Sequence, residues 1–118
     1  IIADGGIKCN GDIAKALVAG ADWVMAGGLF ARCIDSPALE VHTESGKQKI
    51  YYGSASAENK GNNRHIEGVK RALEANDMTY EQKFIEIKQD LQSSISYAGG
   101  TCIDHLNDYD VQYAINYQ

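Results

Sequence analysis

The chain has 118 residues, with 11 Lys and Arg against 16 Asp and Glu, a net charge of −5 and 44% hydrophobic residues, which suffices for one modest domain. An acidic balance without a basic run argues against nucleic acid or an anionic membrane as a main partner, and no apolar stretch is long enough to span a bilayer. The cysteines Cys9, Cys33 and Cys102 are odd in number and lack metal-ligand spacing, so no metal site is expected and a reduced, cytoplasmic setting fits best.

Ile1 to Ala3 is an apolar run ended by Asp4-Gly5-Gly6. Glycines at a strand end let backbone N–H groups approach an anion with no side chain in the way. Asp4 is a carboxylate acceptor suited to a vicinal diol such as a ribose. Asn10 then reads as a helix N-cap, with Ile13, Ala16 and Leu17 on one apolar face and Gly20 closing the helix. Trp23 to Ala26 reads as a second buried strand, and Gly27-Gly28 follows it at once. A βαβ unit of this size implies parallel neighbouring strands. Paired glycines at matching strand ends form a phosphate-binding layout, although each pair read alone makes only a turn. Phosphate commonly sits at the loops after the last two strands of a (β/α)8 barrel. Two parallel strands cannot bury both faces of their sheet, and the first begins at residue 1 without an initiator Met. The expectation is the C-terminal part of a longer protein, or a sheet whose other strands lie on another chain.

Beyond the turn region from Ala31 to Pro37, Leu39–Thr43 and Gln48–Tyr52 are strand-like, joined by Glu44-Ser45-Gly46-Lys47 in a hairpin pattern. Gly53 to Gly68 is polar and rich in Gly, Asn and Ser; it reads either as a solvated linker or as a lid over a site. Val69 to Asn76 reads equally as short helix or short strand. Thr79 with Gln82 three residues on is a capping box, opening a helix with Tyr80, Phe84, Ile87, Leu91 and Ile95 as its packing stripe. Gly99-Gly100 stops it. The tail from Thr101 to Gln118 carries no strong pattern and packs either on the same domain or on another subunit. Tyr51 and Tyr52 read as ribbon packing.

IADGGI, MAGGLFA, YYGSAS, RHIEG and DLQSSISYAGG together resemble the C-terminal portion of the GMP reductases, a family that shares a superfamily with IMP dehydrogenase. The resemblance runs over roughly residues 1–100, and DLQSSISYAGG is its most specific piece, similar to the bacterial branch. It implies an α/β fold, the C-terminal part of a (β/α)8 TIM barrel with a β-ribbon and lid insertion before the last helix, assembled as a homotetramer. Residues 1–35 would be the strand 7 and strand 8 units, 36–78 the ribbon and lid, 79–100 the closing helix and 101–118 the tail. It further implies Asp4 on the ribose hydroxyls, Gly5 and Gly6 on phosphate, and Gly27 and Gly28 as the second phosphate loop. Ser54, Ala55 and Ser56 would lie along phosphate and purine, with Ala55 also at the cofactor. Arg64 and Gly68 would contact the purine, Glu67 would assist proton transfer as ammonia leaves, and Ser96, Tyr97, Ala98 and Gly99 would border NADPH.

The implied reaction is reductive deamination of GMP to IMP, in which a cysteine thiolate attacks the purine carbon bearing the amino group. That cysteine would sit upstream of Asp4-Gly5-Gly6, so Cys9, Cys33 and Cys102 are expected to be structural or incidental. The dehydrogenase branch uses an Arg-Tyr pair to activate water; here Arg64 is followed by His65. An IMP dehydrogenase relative and a non-catalytic phosphate-binding fragment are the alternative readings.

Overall fold

The computed structural model describes residues 1–53 and 70–108. Strand β1 (Ile2–Asp4), helix α1 (Asn10–Val18) and strand β2 (Trp23–Met25) form the expected unit. The two strands pair in parallel, with Ile2 opposite Trp23, Ala3 opposite Val24 and Asp4 opposite Met25. Alternation puts Ala3 and Val24 on the half-buried face. Ile2, Trp23 and Met25 stand on the other face and are 59%, 71% and 54% exposed. That apolar face has no cover within the described residues.

The capping residue of α1 is Cys9, one residue before the expected Asn10. The Asp12 carboxylate accepts from the backbone N–H groups of Lys8, at 2.9 Å, and Cys9, at 3.2 Å. These N–H groups hold the Asp12 carboxyl below the usual Asp range, the Lys8 bond contributing most. Asn10 is instead inside the first turn and buried, where its amide donates to Asp90 at 2.6 Å. Asn10 departs from its expected capping role because a part-buried partner eighty residues away takes its amide. At the other end Gly20 takes φ +104° just past the last turn, which an L side chain resists.

A short helix α2 (Gly28–Ala31) leads into an antiparallel ribbon of β3 (Leu39–Thr43), β4 (Gly46–Tyr51) and β5 (Arg71–Glu74), in the order β3-β4-β5. Thr43 pairs with Gly46, leaving the two-residue turn Glu44-Ser45. The ambiguous stretch before Asn76 is therefore a strand, and it pairs with β4 from Gln48 opposite Glu74 to Tyr51 opposite Arg71. Lys49 is buried beneath the ribbon, where its ammonium lies 3.5 Å from Glu40 and from the Ser36 carbonyl.

Helix α3 (Tyr80–Tyr97) begins at the expected capping box: Gln82 N–H donates to the Thr79 hydroxyl at 3.2 Å and Thr79 N–H to the Gln82 side chain at 2.9 Å. We expect Thr79→Ala to cost about 1 kcal/mol in a chemical or thermal unfolding measurement, with no shift in the strand content seen by circular dichroism. The inner face of α3 differs from the expected stripe. Ile87 and Lys83 are buried, whereas Phe84 is 60% exposed and rests on Phe30 with ring centroids 4.9 Å apart. Lys83 is tolerated inside because Glu86 takes its ammonium at 2.8 Å. Spacing could not distinguish Lys83 from Phe84, because adjacent positions lie only about 100° apart around a helix. After Gly99, at φ +78°, the tail forms a 3-10 helix (Ile103–Leu106) whose Leu106 is 2% exposed.

The linkers on either side of the ribbon are stitched together. Asn76 N–H donates to the Arg32 carbonyl and Ile34 N–H to the Met78 carbonyl, both at 2.9 Å, while Asp35 receives the Tyr80 N–H at 3.0 Å. The ribbon is therefore anchored at its base beside the ends of β1 and β2. Among the described residues no helix is long and apolar enough to cross a membrane.

Candidate functional site

The C-terminal ends of β1 and β2 open into one cleft of about 290 Å³. Asp4, Gly5 and Gly6 line it from the first strand end, Gly27 and Gly28 from the second. The two pairs of glycines are there for different physical reasons. Gly5 and Gly6 have φ +89° and +76° and open space where a Cβ would stand; they serve a backbone path that side chains resist. Gly27 and Gly28 serve close approach. A Cβ on Gly27 would overlap the Tyr51 hydroxyl and lie 3.1 Å from Cζ of that ring, and one on Gly28 would meet Leu73 at 3.6 Å. The ribbon thus packs directly on the second glycine pair.

Gly27→Ala should therefore displace Tyr51 and destabilise the fold by about 1–3 kcal/mol. Thermal unfolding checks this, and adding Tyr51→Phe to the Gly27→Ala protein should recover part of the loss, since the hydroxyl is the atom overlapped.

Residues that sequence reasoning had not assigned to the site complete the cleft: Lys8, Arg32, Tyr51 and Arg71 all line it. Lys8 lies two residues beyond the Gly5-Gly6 turn, and that adjacency to a glycine pair was a readable signal; Arg32 stands just past α2, four residues beyond Gly28. Arg71 had no such signal; it arrives because β5 pairs with β4 and sets Arg71 opposite Tyr51.

Ser96, Tyr97, Ala98 and Gly99 sit at the C-terminal end of α3 and do not line this cleft. Tyr97 is 92% exposed. Ser54, Ala55, Ser56, Arg64, His65, Glu67 and Gly68 lie outside the described residues. Cys33 is fully buried, and burial above all pushes its thiol pKa up, which suppresses the thiolate a nucleophile needs. Among the described residues no group of three or more His, Cys, Asp or Glu could hold a metal ion.

A parallel strand pair whose glycine-ended strands converge on one cleft is an α/β arrangement of the kind whose backbone N–H groups suit an anion. Residues 1–115 match the family model described as IMP dehydrogenase / GMP reductase domain, and the chain belongs to that family. A GMP reductase from Lysinibacillus sphaericus is 48% identical over 110 residues, and one from Streptococcus suis is 50% identical over 110 residues. Each alignment takes in 93% of this chain and 33% of the relative, so the chain spans about a third of the curated relatives it matches. A crystal structure of a GMP reductase variant from Trypanosoma brucei in complex with guanosine 5′-monophosphate superposes with a TM-score of 0.74 at 30% identity, covering 92% of this chain and 24% of that one.

Proposed function

We propose that this chain is the phosphate- and ribose-binding end of a GMP reductase, which converts GMP to IMP and ammonia with NADPH. The observation that carries the proposal is the meeting of Asp4, Gly5, Gly6, Gly27 and Gly28 in one cleft, in a chain about half identical to bacterial GMP reductases. Backbone N–H groups of the glycine turns suit a phosphate, and Asp4 beside them suits the ribose hydroxyls of the same nucleotide.

In this reading β1 and β2 are strands seven and eight of a (β/α)8 barrel, and α3 is its closing helix. The exposed apolar face carrying Ile2, Trp23 and Met25 supports it, because barrel strands send alternate residues into a packed interior. Residues 36–78 would be a ribbon and lid inserted before the closing helix, with 101–118 as a tail. The lid would hold the purine through Arg64 and Gly68, and Ser54, Ala55 and Ser56 would run along phosphate and base. Glu67 would supply the proton that ammonia needs in order to leave. The same reading takes the full protein as a cytoplasmic homotetramer.

For NADPH, the end of α3 presents an exposed tyrosine ring and a glycine turn, with no cationic side chain in its last turn. That surface fits the flat nicotinamide end of the cofactor, bordered by Ser96, Tyr97, Ala98 and Gly99, and not its phosphates. The cofactor supplies a hydride. The cysteine nucleophile belongs to the remainder of the protein, since Cys33 is buried and none of the three cysteines lines the cleft beside Asp4.

The test is NADPH oxidation by the full-length protein given GMP, with ammonia release followed in parallel. Coupled consumption and release is the expected result. No turnover of GMP, with NAD reduction on IMP instead, would move the protein to the dehydrogenase branch. A full-length chain that binds GMP without either reaction would make it a nucleotide-binding protein only.

A further inference from the structure

We propose that Arg32 and Arg71 recognise the charge of the nucleotide 5′-phosphate, in addition to the uncharged amide contacts offered by the glycine turns. The inference rests on the reading of the cleft as a nucleotide site.

Among the described residues, Lys8, Arg32 and Arg71 are the cationic residues that line the cleft, and Asp4 is the acidic residue that does so. They come from three separate elements: the loop after β1, the residue after α2, and the first position of β5. Among the described residues none of the three is in an ion pair, whereas the buried Lys49 and Lys83 are matched with Glu40 and Glu86. This chain has five more acidic than basic residues, so carboxylates to neutralise cations are not scarce. Lys47, Lys70 and Lys88 likewise make no ion pair among the described residues, so what distinguishes the cleft is that three such cations meet in one place. Like charges around one concavity repel, and burying a bound molecule there lowers the local dielectric and raises that cost. Asp4 offsets one of the three, leaving a surplus that a phosphate dianion matches. Arginine suits this role because its planar fork pairs with two phosphate oxygens at once. Lys8 adds to the field as a point charge.

The two arginines also sit where they report on the whole site. Arg32 gives its backbone carbonyl to Asn76 N–H at 2.9 Å, which fixes its position at the ribbon base. Arg71 is held opposite Tyr51, the ring that packs on Gly27. The backbones of both residues are thus fixed by the contacts that shape the glycine cleft, which sets where each guanidinium starts from.

The experiment uses the full-length protein with Arg32→Gln, Arg71→Gln and the corresponding lysine variants. KM and kcat are measured for GMP, and equilibrium affinity for GMP and for guanosine, across a series of salt concentrations. Each glutamine variant should raise KM for GMP about tenfold or more, with kcat little changed, and should flatten the salt dependence of GMP affinity. Guanosine affinity should stay as in the wild type, and lysine should restore part of the GMP affinity. Unchanged GMP affinity in both variants would overturn the proposal. So would equal weakening of GMP and guanosine, which marks a distorted cleft and not a lost charge contact. If the wild type turns over neither GMP nor IMP, the functional reading fails, and inorganic phosphate becomes the probe. A phosphate-dependent rise in melting temperature that is present in the wild type and lost in both glutamine variants would still uphold the charge role; the same rise in all three would end it.

Discussion

Replacing Asp4 with alanine in the full-length protein is expected to weaken GMP binding by about a hundredfold or more. Asp4 ends β1 in register with Met25 and lines the cleft between the two glycine pairs. A ribose offers two adjacent hydroxyls, and a carboxylate accepts from both at once. Hydrogen bonds to a charged group contribute about 1.5–3 kcal/mol each, so losing two reaches the hundredfold range at about 1.4 kcal/mol per decade. Titration calorimetry with GMP and with guanosine checks both the size and the cause. Guanosine should lose at least as much as GMP, because removing Asp4 also takes away the carboxylate that lines the cleft with Lys8, Arg32 and Arg71, which favours the phosphate. Asp4→Asn should recover part of the loss, since an amide oxygen still accepts one bond. Unchanged affinity would take Asp4 out of the site. The opposed behaviour of Asp4 and the two arginines towards guanosine separates ribose recognition from phosphate recognition within one cleft.

What could be read from the chain divides along a physical line. Asp4-Gly5-Gly6, Gly27-Gly28, the hairpin around Glu44-Ser45 and the Thr79–Gln82 capping box were legible because each follows from the backbone demands of a few consecutive residues. Gly20 and Gly99 belong to the same group: both take positive φ just past a helix end. The errors fall where a distant partner decides. Asn10 left its expected capping role for Asp90, eighty residues away. Phe84 stayed largely outward against Phe30, fifty-four residues earlier, and this left the inner face to Lys83, whose charge Glu86 matches from the next turn of the same helix. The strand β5 was ambiguous because only pairing with β4 makes Arg71–Glu74 extended. For the site the same division holds. The glycine turns were visible as a motif, whereas Arg32 and Arg71 join them through pairing and stitching that no local pattern encodes. The resemblance implies a place at the cofactor for Ser96 to Gly99, which close α3 and do not line the cleft beside Asp4.

Glu67→Gln is expected to lower turnover with GMP by about 10²–10⁴-fold while changing GMP affinity little. The expectation follows from the chemistry proposed for the reaction. An amino group cannot leave a purine carbon as an amide anion at neutral pH; it must be protonated as the bond breaks, and the family resemblance gives that task to the carboxyl of Glu67. Glutamine keeps the shape and hydrogen-bonding reach of Glu67 but has no proton to deliver. Binding, which needs only shape and polar contact, should survive, and the loss should appear in kcat and not in KM. The pH profile gives a second reading: a limb of the wild-type kcat profile that belongs to Glu67 should disappear in Glu67→Gln, and the residual rate should run flat across that range. Single-turnover measurement of ammonia release distinguishes a slowed bond cleavage from a slowed hydride transfer, because only the first requires this proton. A fall of kcat and affinity by the same factor would instead make Glu67 a residue that positions the purine, and the proton would then have to come from another group.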